Sequence, residues 1–328
     1  YTVIVTDGNG CTNTDDVEVQ VYPSLSVEAG DDDAICNGEN KTITAVGSGG
    51  SGSGYSYAWS HGLGSGASKT VNPSVTTTYN VIVTDANSCT SSDNVTITVY
   101  AMPTVTASSD QSICNSKSTV ISASGSGGSG GGYSYAWSHG LGSGSSKTVS
   151  PGTSTTYSVT MTDGNGCTDI DQVLVTVNSA PVLTASGGAT ICDGTSTVIS
   201  ALATSGDGNY TYAWSHSLGL GQSKTVSPSS TTTYSVIVTD GNGCTDLDFV
   251  TITVDPSPTA DAGTDATICL GFSTTLSASG GVSYAWSPGT GLSATNIPGP
   301  DASPLVSTTY TVEVTDGNGC LLYTSDAA

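Results

Sequence analysis

The residues with the clearest chemical potential are nine cysteines, whose spacings along the chain alternate between 25 and 51–53 positions. Such a regular spacing favours a framework of disulfide bonds, and disulfides persist in oxidising compartments. Zinc binding is a poor alternative, because the sequence has no Cys-x-x-Cys pair of the kind that structural zinc sites use. The cysteines are Cys11, Cys36, Cys89, Cys114, Cys167, Cys192, Cys244, Cys269 and Cys320.

Three disulfide pairings compete. Bonds across 25 positions would join the start of a last strand to a turn one full repeat further on, which is the least favourable geometry. Bonds within a repeat, such as Cys36 to Cys89, would have to bridge a ten-residue strand of roughly 30 Å, whereas a disulfide tolerates about 7 Å between Cα atoms. This second option stays open. We favour the third, which bonds the bottom of one repeat to the top of the next and leaves Cys11, Cys89 and Cys269 unpaired. Its bonds are Cys36–Cys167, Cys114–Cys244 and Cys192–Cys320.

Acidic hairpin turns are the candidates for binding a metal ion. Two of them read Asp-Gly-Asn-Gly-Cys-Thr-Asp and gather side-chain oxygens, of which calcium takes six to eight. The competing interpretation is that Asp-Gly-Asn-Gly is simply a good hairpin turn, because glycine and asparagine adopt positive φ angles. We favour the turn and predict no cofactor, with calcium as the alternative. The calcium candidates are Asp163, Asn165 and Asp169 in one turn, and Asp240, Asn242 and Asp246 in the next.

The histidines and two glycine-rich stretches are the remaining candidates for catalytic groups. His61, His139 and His216 each follow a Trp-Ser pair about 78 positions apart, so they cannot share one metal site or one catalytic base pair. The stretches 127–131 and 140–144 match nucleophile and phosphate motifs by letter, but they lack the strand–turn–helix setting that those motifs require. We therefore predict that the protein is not an enzyme.

These residues recur because the chain is a tandem repeat of about 78 residues. Such an array is hard to reconcile with a single active site and easy to reconcile with a spacer or a multivalent binder. Each copy carries one tryptophan in a Tyr-x-Trp-Ser motif and one tyrosine ten positions before a cysteine. We predict that both are structural, the tryptophan filling the core and the tyrosine anchoring a loop through its hydroxyl. They are Trp59, Trp137, Trp214 and Trp286, and Tyr79, Tyr157, Tyr234 and Tyr310.

The pattern within one copy predicts strands throughout. Tyr157, Val159 and Met161 alternate with polar residues, which is the period of a half-buried strand. Seven short strands without a helical period predict an all-β fold of tandem immunoglobulin-like (PKD-like) Greek-key β-sandwiches, with a glycine/serine loop at 125–132. The predicted domains are the C-terminal hairpin of a truncated repeat at 1–22, repeats at 23–101, 102–179 and 180–256, and a repeat at 257–320 that lacks its last strand.

The motifs also resemble a known family. The series Ile-Cys-x-Gly-x-Ser, then Tyr-x-Trp-Ser, then Thr-Thr-Tyr and Thr-Asp-x-Asn-Gly-Cys, is similar to PKD-like and immunoglobulin-like repeats in very large secreted or surface proteins of Bacteroidetes, including gliding-motility adhesins. The copy at Ile268 to Ala278 fits well. The resemblance covers essentially all of residues 1–320 and implies the module rather than an activity, because one module serves many roles. Residues 321–328 resemble a translated sequencing adapter, so we predict a non-native tail.

Charge narrows the range of partners. The chain has five lysines, no arginine and 27 acidic residues, for a net charge of −22, whereas nucleic acids and anionic membranes need cationic patches. We predict no nucleic acid, no membrane insertion and an extracellular or cell-surface location, with neighbouring repeats and surface glycans or proteins as partners. The favoured function is a non-catalytic spacer or stalk segment of a large bacterial adhesin. The alternatives are a glycan- or surface-binding array, acting through Tyr55, Tyr133 and Tyr210, and accessory repeats of a secreted hydrolase.

Overall fold

The computed structural model describes residues 1–186 and 188–325, and within those residues every regular element is a β-strand. Nowhere in this described part is there a long apolar helix of the kind that crosses a bilayer. The chain divides into two compact units. The first comprises Tyr1–Gln111 and Ser118–Thr176, and the second comprises Ser112–Lys117 and Val177–Ala328.

The first unit opens with an isolated hairpin. Strands β1 (Thr2–Thr6) and β2 (Thr12–Asp16) pair antiparallel, and every residue from 1 to 24 is exposed. The alternating valines that follow Asp16 have no facing sheet, so β2 ends after five residues. A two-stranded hairpin without a packed face has little stability of its own.

The first repeat, residues 23–101, forms a sandwich. One layer is a five-stranded sheet in the order β4-β11-β10-β7-β8, and the other contains the pairs β3-β6 and β5-β9. Strand β4 runs parallel to the end of β11, and the remaining pairs are antiparallel. The strands are β3 (Ser26–Glu28), β4 (Asp33–Cys36), β5 (Lys41–Thr44), β6 (Val46–Ser48), β7 (Ser56–Trp59), β8 (Gly64–Ser65), β9 (Ser68–Val71), β10 (Thr77–Thr84) and β11 (Thr90–Tyr100).

The second repeat, residues 102–179, builds the same elements. One sheet has the order β12-β14-β17, and strands β15, β16, β18 and β19 belong to the other. Strand β13 carries Cys114 and lies mostly in the second unit. The strands are β12 (Pro103–Ala107), β13 (Gln111–Cys114), β14 (Thr119–Gly127), β15 (Ser134–Trp137), β16 (Gly142–Ser143), β17 (Ser146–Val149), β18 (Thr155–Thr162) and β19 (Thr168–Asn178).

The third repeat, residues 180–256, lies in the second unit and has the same two sheets. Their strand orders are β20-β22-β25 and β21-β27-β26-β23-β24, with β21 parallel to the end of β27. The chain crosses between the two sheets repeatedly, as in immunoglobulin-like sandwiches. The strands are β20 (Pro181–Ala185), β21 (Ala189–Cys192), β22 (Thr197–Ser205), β23 (Thr211–Trp214), β24 (Gly219–Leu220), β25 (Ser223–Val226), β26 (Thr232–Thr239) and β27 (Thr245–Asp255).

The fourth repeat is shorter and less regular. It contains a pair, β28-β30, and a sheet in the order β29-β31-β32. Residues 262–273, which include the counterpart of β4, form no strand. The strands are β28 (Thr274–Thr275), β29 (Ser283–Ser287), β30 (Asp301–Ala302), β31 (Thr311–Thr315) and β32 (Leu321–Ser325).

Three details of the sequence prediction are wrong. The predicted absence of a last strand from the fourth repeat is wrong for residues 321–325, because β32 pairs antiparallel with β31 over those five positions. A backbone ladder needs few particular side chains, so a segment that matches no other copy still pairs after the turn. Residues 326–328 of the predicted tail lie outside the described residues. Strand β14 runs on to Gly127, into the predicted loop. The second repeat has eight strands rather than seven, because the two residues of β16 also form a strand. Two residues are too few to show the alternation of polar and apolar positions that marks a strand in the sequence.

The core lies between the two layers and uses the alternating positions of the long strands. In the first repeat Val81, Val83 and Ile97 are fully buried, and they pack with Trp59 and Tyr79. The third repeat repeats this cluster around Trp214. Branched aliphatic side chains on a pleated surface pack closely in this arrangement. The chain is therefore an all-β array of tandem immunoglobulin-like sandwiches.

Candidate functional site

Three disulfide bonds join each repeat to the next one along the chain. The bonded Cα atoms are 5.7, 5.6 and 5.4 Å apart, and the sequence separations are 131, 130 and 128. In the chain-entropy description, a loop of that length stabilises the folded state by about 5 kcal/mol. Cys11, Cys89 and Cys269 are free and exposed. The bonds are Cys36–Cys167, Cys114–Cys244 and Cys192–Cys320.

One partner of each bond sits on a hairpin turn that an aspartate holds in shape. Asp163 Oδ1 accepts the N–H groups of Asn165 and Cys167 at 3.0 and 2.9 Å. The Asp163 N–H donates to the Cys167 carbonyl at 2.9 Å. Because one carboxylate closes the turn, the cysteine leaves it in a defined direction. The same contacts recur at the turns that begin with Asp85, Asp240 and Asp316.

The other partner sits at the end of the short parallel strand. Cys36 ends β4 opposite Tyr100, and Cys192 ends β21 opposite Asp255. The next residue continues the ladder, since the Asn37 N–H donates to the Tyr100 carbonyl at 2.9 Å. Each bonded cysteine is thus placed by backbone hydrogen bonds of its own repeat, and the disulfide joins two positioned groups.

Burial separates the bonded turn cysteines from Cys11 and Cys89, which are free on the same kind of turn. Cys167, Cys244 and Cys320 are 1, 0 and 1% exposed. Cys89 is exposed and free, although Asp85 Oδ1 accepts its N–H at 2.9 Å as in the other turns. The turn geometry therefore exists without the bond, whereas the cysteine is buried in the turns that carry one.

The aspartates among the calcium candidates accept backbone N–H groups of their own repeat. Asp163 Oδ2 accepts the Ser129 N–H at 2.8 Å, and burial raises the pKa of Asp163 less than its several N–H donors lower it, so the net pKa is depressed. Asp169 and Asp246 accept N–H groups from β12 and β20 at 2.9 and 2.8 Å. Asn165 and Asn242 contribute their own N–H groups to the turns. In the part of the chain that the structure describes, no three acidic, cysteine or histidine side chains gather as a metal site would require.

A second set of aspartates on the last strands was missed by sequence analysis. The carboxylates of Asp93, Asp171 and Asp248 each accept an N–H group at the end of the first strand or directly after it, 64, 64 and 63 positions away, at 2.8 Å. These N–H donors hold the pKa of each carboxyl below its usual range. The available signal was the repeated aspartate four positions after the turn cysteine. This aspartate carboxylate fixes the first strand of a repeat to its last strand.

The four tryptophans lie in the core and each uses its indole N–H. Trp59, Trp137, Trp214 and Trp286 are 5, 5, 5 and 4% exposed. Their Nε1–H groups donate to carbonyls of Gly66, Gly144, Gly221 and Ile297 at 3.0, 2.9, 2.9 and 3.0 Å. A buried indole needs such an acceptor, so the glycine after the two-residue strand is held close to the core.

The tyrosine prediction needs correction in three of the four copies. Tyr79, Tyr157 and Tyr234 are buried, and a histidine ring contacts each edge-on, with centroids 5.2, 5.1 and 5.0 Å apart. These histidines, His61, His139 and His216, have positive φ and bond the preceding serine hydroxyl at 2.9 Å. In the fourth copy, proline replaces the histidine, and the Tyr310 hydroxyl donates to the Thr290 carbonyl at 2.8 Å. Burial raises the pKa of Tyr79 and of Tyr310. The tyrosine ten positions before the turn cysteine thus contacts a histidine ring in the first three copies and bonds a loop carbonyl through its hydroxyl in the fourth.

The tyrosines of the glycine-rich loops use their hydroxyls internally. Tyr55 and Tyr133 donate to the carbonyls of Gly49 and Gly127 at 2.7 and 2.6 Å, and Tyr210 donates to the Ser205 carbonyl. Each hydroxyl thus closes its own loop.

Among the described residues, one buried carboxylate oxygen is left without a donor. In the first two repeats, Oδ2 of Asp85 and Asp163 accepts a serine N–H from the glycine-rich loop at 2.9 and 2.8 Å. Asp207 stands at this loop position in the third repeat and directs its own carboxylate to the N–H groups of Asn209 and Gly241. The facing Asp240 is 5% exposed, and its Oδ2 has no hydrogen-bond partner.

Comparisons with known proteins give structural similarity only. No family model and no curated protein matches this chain. A titin I-band fragment, I67–I69, is similar at 11% identity over 72% of this chain and 100% of its own, with a TM-score of 0.40. Sidekick-1 immunoglobulin domains 1–4 match at 13% over 93% and 98%, with a TM-score of 0.26. The eight N-terminal Ig domains of Down Syndrome Cell Adhesion Molecule match at 12% over 100% and 58%, with a TM-score of 0.31.

Proposed function

We propose that the chain is a non-catalytic structural segment, a spacer or stalk, of a large extracellular or cell-surface bacterial adhesin. The observation that carries the proposal is the series of three repeat-to-repeat disulfides. Such bonds persist in an oxidising location outside the cytoplasm. They also make neighbouring repeats of the same chain each other's permanent partners.

The overlap of the three disulfide loops suits a segment that must stay intact. The loops run from 36 to 167, from 114 to 244 and from 192 to 320, so each opens before the previous one closes. Every peptide bond between Cys36 and Cys320 is therefore spanned by at least one disulfide. A single cut by an external protease in this region leaves one covalent molecule.

The use of the polar groups supports a scaffold rather than a binder. The loop tyrosines and turn aspartates bond their own repeat, and the histidines pack on core tyrosines, as described above. Each of these groups has a structural partner one repeat or less away. The polar side chains that recur in every copy thus contact groups of the same fold.

Limited proteolysis tests the structural role directly. The oxidised chain is nicked once between Cys36 and Cys320 and run on gels with and without a reducing agent. We expect one full-length band without reduction and two fragments after it. Two fragments before reduction would contradict the proposal.

A binding screen tests the alternative. The fluorescent intact chain is applied to a glycan array at up to about 100 μM, which reaches into the weak affinity range. We expect no saturable binding. Saturable binding that Tyr133→Phe abolishes and Tyr100→Phe preserves would assign the chain to glycan recognition and overturn the spacer proposal.

A further inference from the structure

The outer face of the larger sheet in the third repeat carries an exposed row of apolar side chains. Leu247 on β27 lies opposite Ile237 on β26, and Ile237 lies opposite Ala213 on β23. Ala213 in turn lies opposite Leu220 on β24. Side chains that oppose each other on neighbouring strands are within contact range, because their Cβ atoms lie about 5 Å apart. The four residues therefore form one continuous row across four strands.

A phenylalanine widens this row along the last strand. Phe249 follows Leu247 by two positions, so both side chains leave β27 on the same face. Leu220, Ile237, Leu247 and Phe249 are 66, 44, 48 and 58% exposed. At about 150–200 Å² for a fully exposed side chain of this size, they expose roughly 400 Å² of surface, and an apolar patch of that size is often a functional one. These four residues and Ala213 are called the apolar row below.

The first two repeats hold fewer large apolar side chains on this face. Each has a single one within the corresponding row, Ile82 in the first repeat and Ile170 in the second. Asn94 stands at the position of Phe249 in the first repeat, and Asn80 Nδ2 donates to its Oδ1 at 3.0 Å. The same sheet therefore folds without the additional leucines and the phenylalanine of the third repeat.

The surroundings of the apolar row are uncharged, although the chain has a net charge of −22. Within these described strands, the outward positions of β23, of β26 and of β27 as far as Thr253 carry only uncharged side chains. Asp246 and Asp248 belong to the same stretch, but they lie on the inner face and accept N–H groups of β20. Two copies of this acidic chain repel each other elsewhere, and this face lets them approach without opposing charges of the same sign.

We propose that the apolar row is the surface through which a second copy of this chain binds, with the same face contributed by both copies. A contact of this kind must be complementary to itself, and an uncharged apolar row meets that condition. Two sheets pack face to face at about 10 Å. The threonine and serine hydroxyls around the row supply the polar rim that interfaces have. The contact goes beyond a spacer role, because it joins separate chains without a covalent bond.

The dimensions of the face set the expected strength of the contact. Four strands spaced about 4.8 Å apart, with the length of β26, give a face of about 19 by 26 Å. Two such faces bury about 1,000 Å² in total, which is the lower limit for a specific interface. We therefore expect a weak dimer, with a Kd on the order of 10–100 μM. Salt should tighten it, because it screens the repulsion between the two acidic chains.

Sedimentation of the full chain tests the proposal, with the free thiols blocked by iodoacetamide so that no disulfide forms between copies. The first variant combines Leu247→Ser with Phe249→Asn. It installs the residues that the first repeat carries at these positions, Ser92 and Asn94, so the sheet keeps its fold. The matched control is Ile170→Ser, which removes the exposed isoleucine from the position of Leu247 in the second repeat.

The parent and Ile170→Ser should dimerise equally, and the double variant should dimerise at least tenfold more weakly. Leu220→Ser, which copies Ser65 and Ser143 of the other repeats, should weaken the dimer independently. Raising the salt from about 0.1 to about 1 M should tighten the parent dimer. The proposal is overturned by a parent that stays monomeric up to about 1 mM, by a double variant that dimerises like the parent, or by equal weakening in Ile170→Ser.

Photocrosslinking then identifies the contact surface. The photoreactive residue p-benzoylphenylalanine replaces Thr211, which is exposed on the same face, and light and heavy isotope-labelled copies are mixed. Mixed-isotope crosslinks from position 211 to β23, β26 or β27 are expected, and the double variant should lose them. Crosslinks confined to single copies, or mixed crosslinks to the first two repeats, would overturn the proposal. So would a monomeric parent that binds a glycan through the apolar row.

Discussion

Removing one disulfide at a time should change the maximal extension of the chain under force. The size of each change follows from the way in which the three disulfide loops overlap. Without disulfides, Cys36 and Cys320 are joined by 284 residues (320 minus 36), or about 1,000 Å at about 3.5 Å per extended residue. With all three bonds, the shortest covalent path runs from Cys36 to Cys167, along 25 residues to Cys192, and on to Cys320. That path is about 90 Å long when fully extended.

The three bonds are not equivalent in this path, which provides a matched control. The middle bond, Cys114–Cys244, is not used by it, so Cys114→Ser with Cys244→Ser should leave the extension unchanged. Replacing Cys36 and Cys167 by serine forces a path of 130 residues, through 36–114 and 192–244. The extension between the end points should then rise to about 450 Å.

Single-molecule stretching with handles at the two chain ends measures these lengths. The tails outside Cys36 and Cys320 are the same in every variant, so only differences matter. The parent and the middle-bond variant should agree, the Cys36/Cys167 variant should extend about 370 Å further, and the reduced parent about 900 Å further. Equal extension of the oxidised and reduced parent, or a lengthening in the middle-bond variant, would refute the reasoning.

Three further perturbations follow from the contacts within a repeat. Trp137→Ala removes a buried indole and should cost about 3–5 kcal/mol of unfolding free energy, measured by denaturant titration, while the exposed Val120→Ala should cost under about 0.5 kcal/mol. Asp207→Ser restores the loop residue of the first two repeats and removes a carboxylate that accepts the Gly241 N–H, directly next to the buried Asp240. It should stabilise the third repeat by about 1 kcal/mol, because two carboxylates at close range repel each other; an unchanged melting temperature would contradict this. The pKa of Asp171 is lowered by its N–H donors, so its contribution is present above the unfolded value of about 4 and is lost as the pH falls through the folded pKa. Asp171→Asn should therefore reduce the loss of stability below pH 4, seen in melting curves across pH.

The sequence correctly predicted those parts of the structure that follow from the periodicity of the strands and from their length. Tyr157, Val159 and Met161 alternate as a half-buried strand does, and the structure buries all three. The length of a ten-residue strand against the reach of a disulfide favoured the inter-repeat pairing over Cys36–Cys89, which stayed open, and the structure contains the inter-repeat bonds.

The parts it missed depend on side-chain direction and on local competition between partners. That a histidine ring, rather than a hydroxyl bond, would meet Tyr157 depends on the positive φ of His139, which no period reveals. The acceptor role of Asp171 joins residues 64 positions apart and needs the two layers to be in place. Strand β32 formed from residues without the repeat pattern because pairing is largely a backbone property.

Disulfide mapping of the oxidised chain measures most directly whether consecutive repeats are bonded to one another. The protein is alkylated under denaturing conditions, digested without reduction and analysed by mass spectrometry. We expect three free thiols, at Cys11, Cys89 and Cys269, and a linked peptide pair containing Cys114 and Cys244. A single free thiol at Cys11, with Cys36 linked to Cys89, would show that the bonds lie within repeats and would contradict the structure.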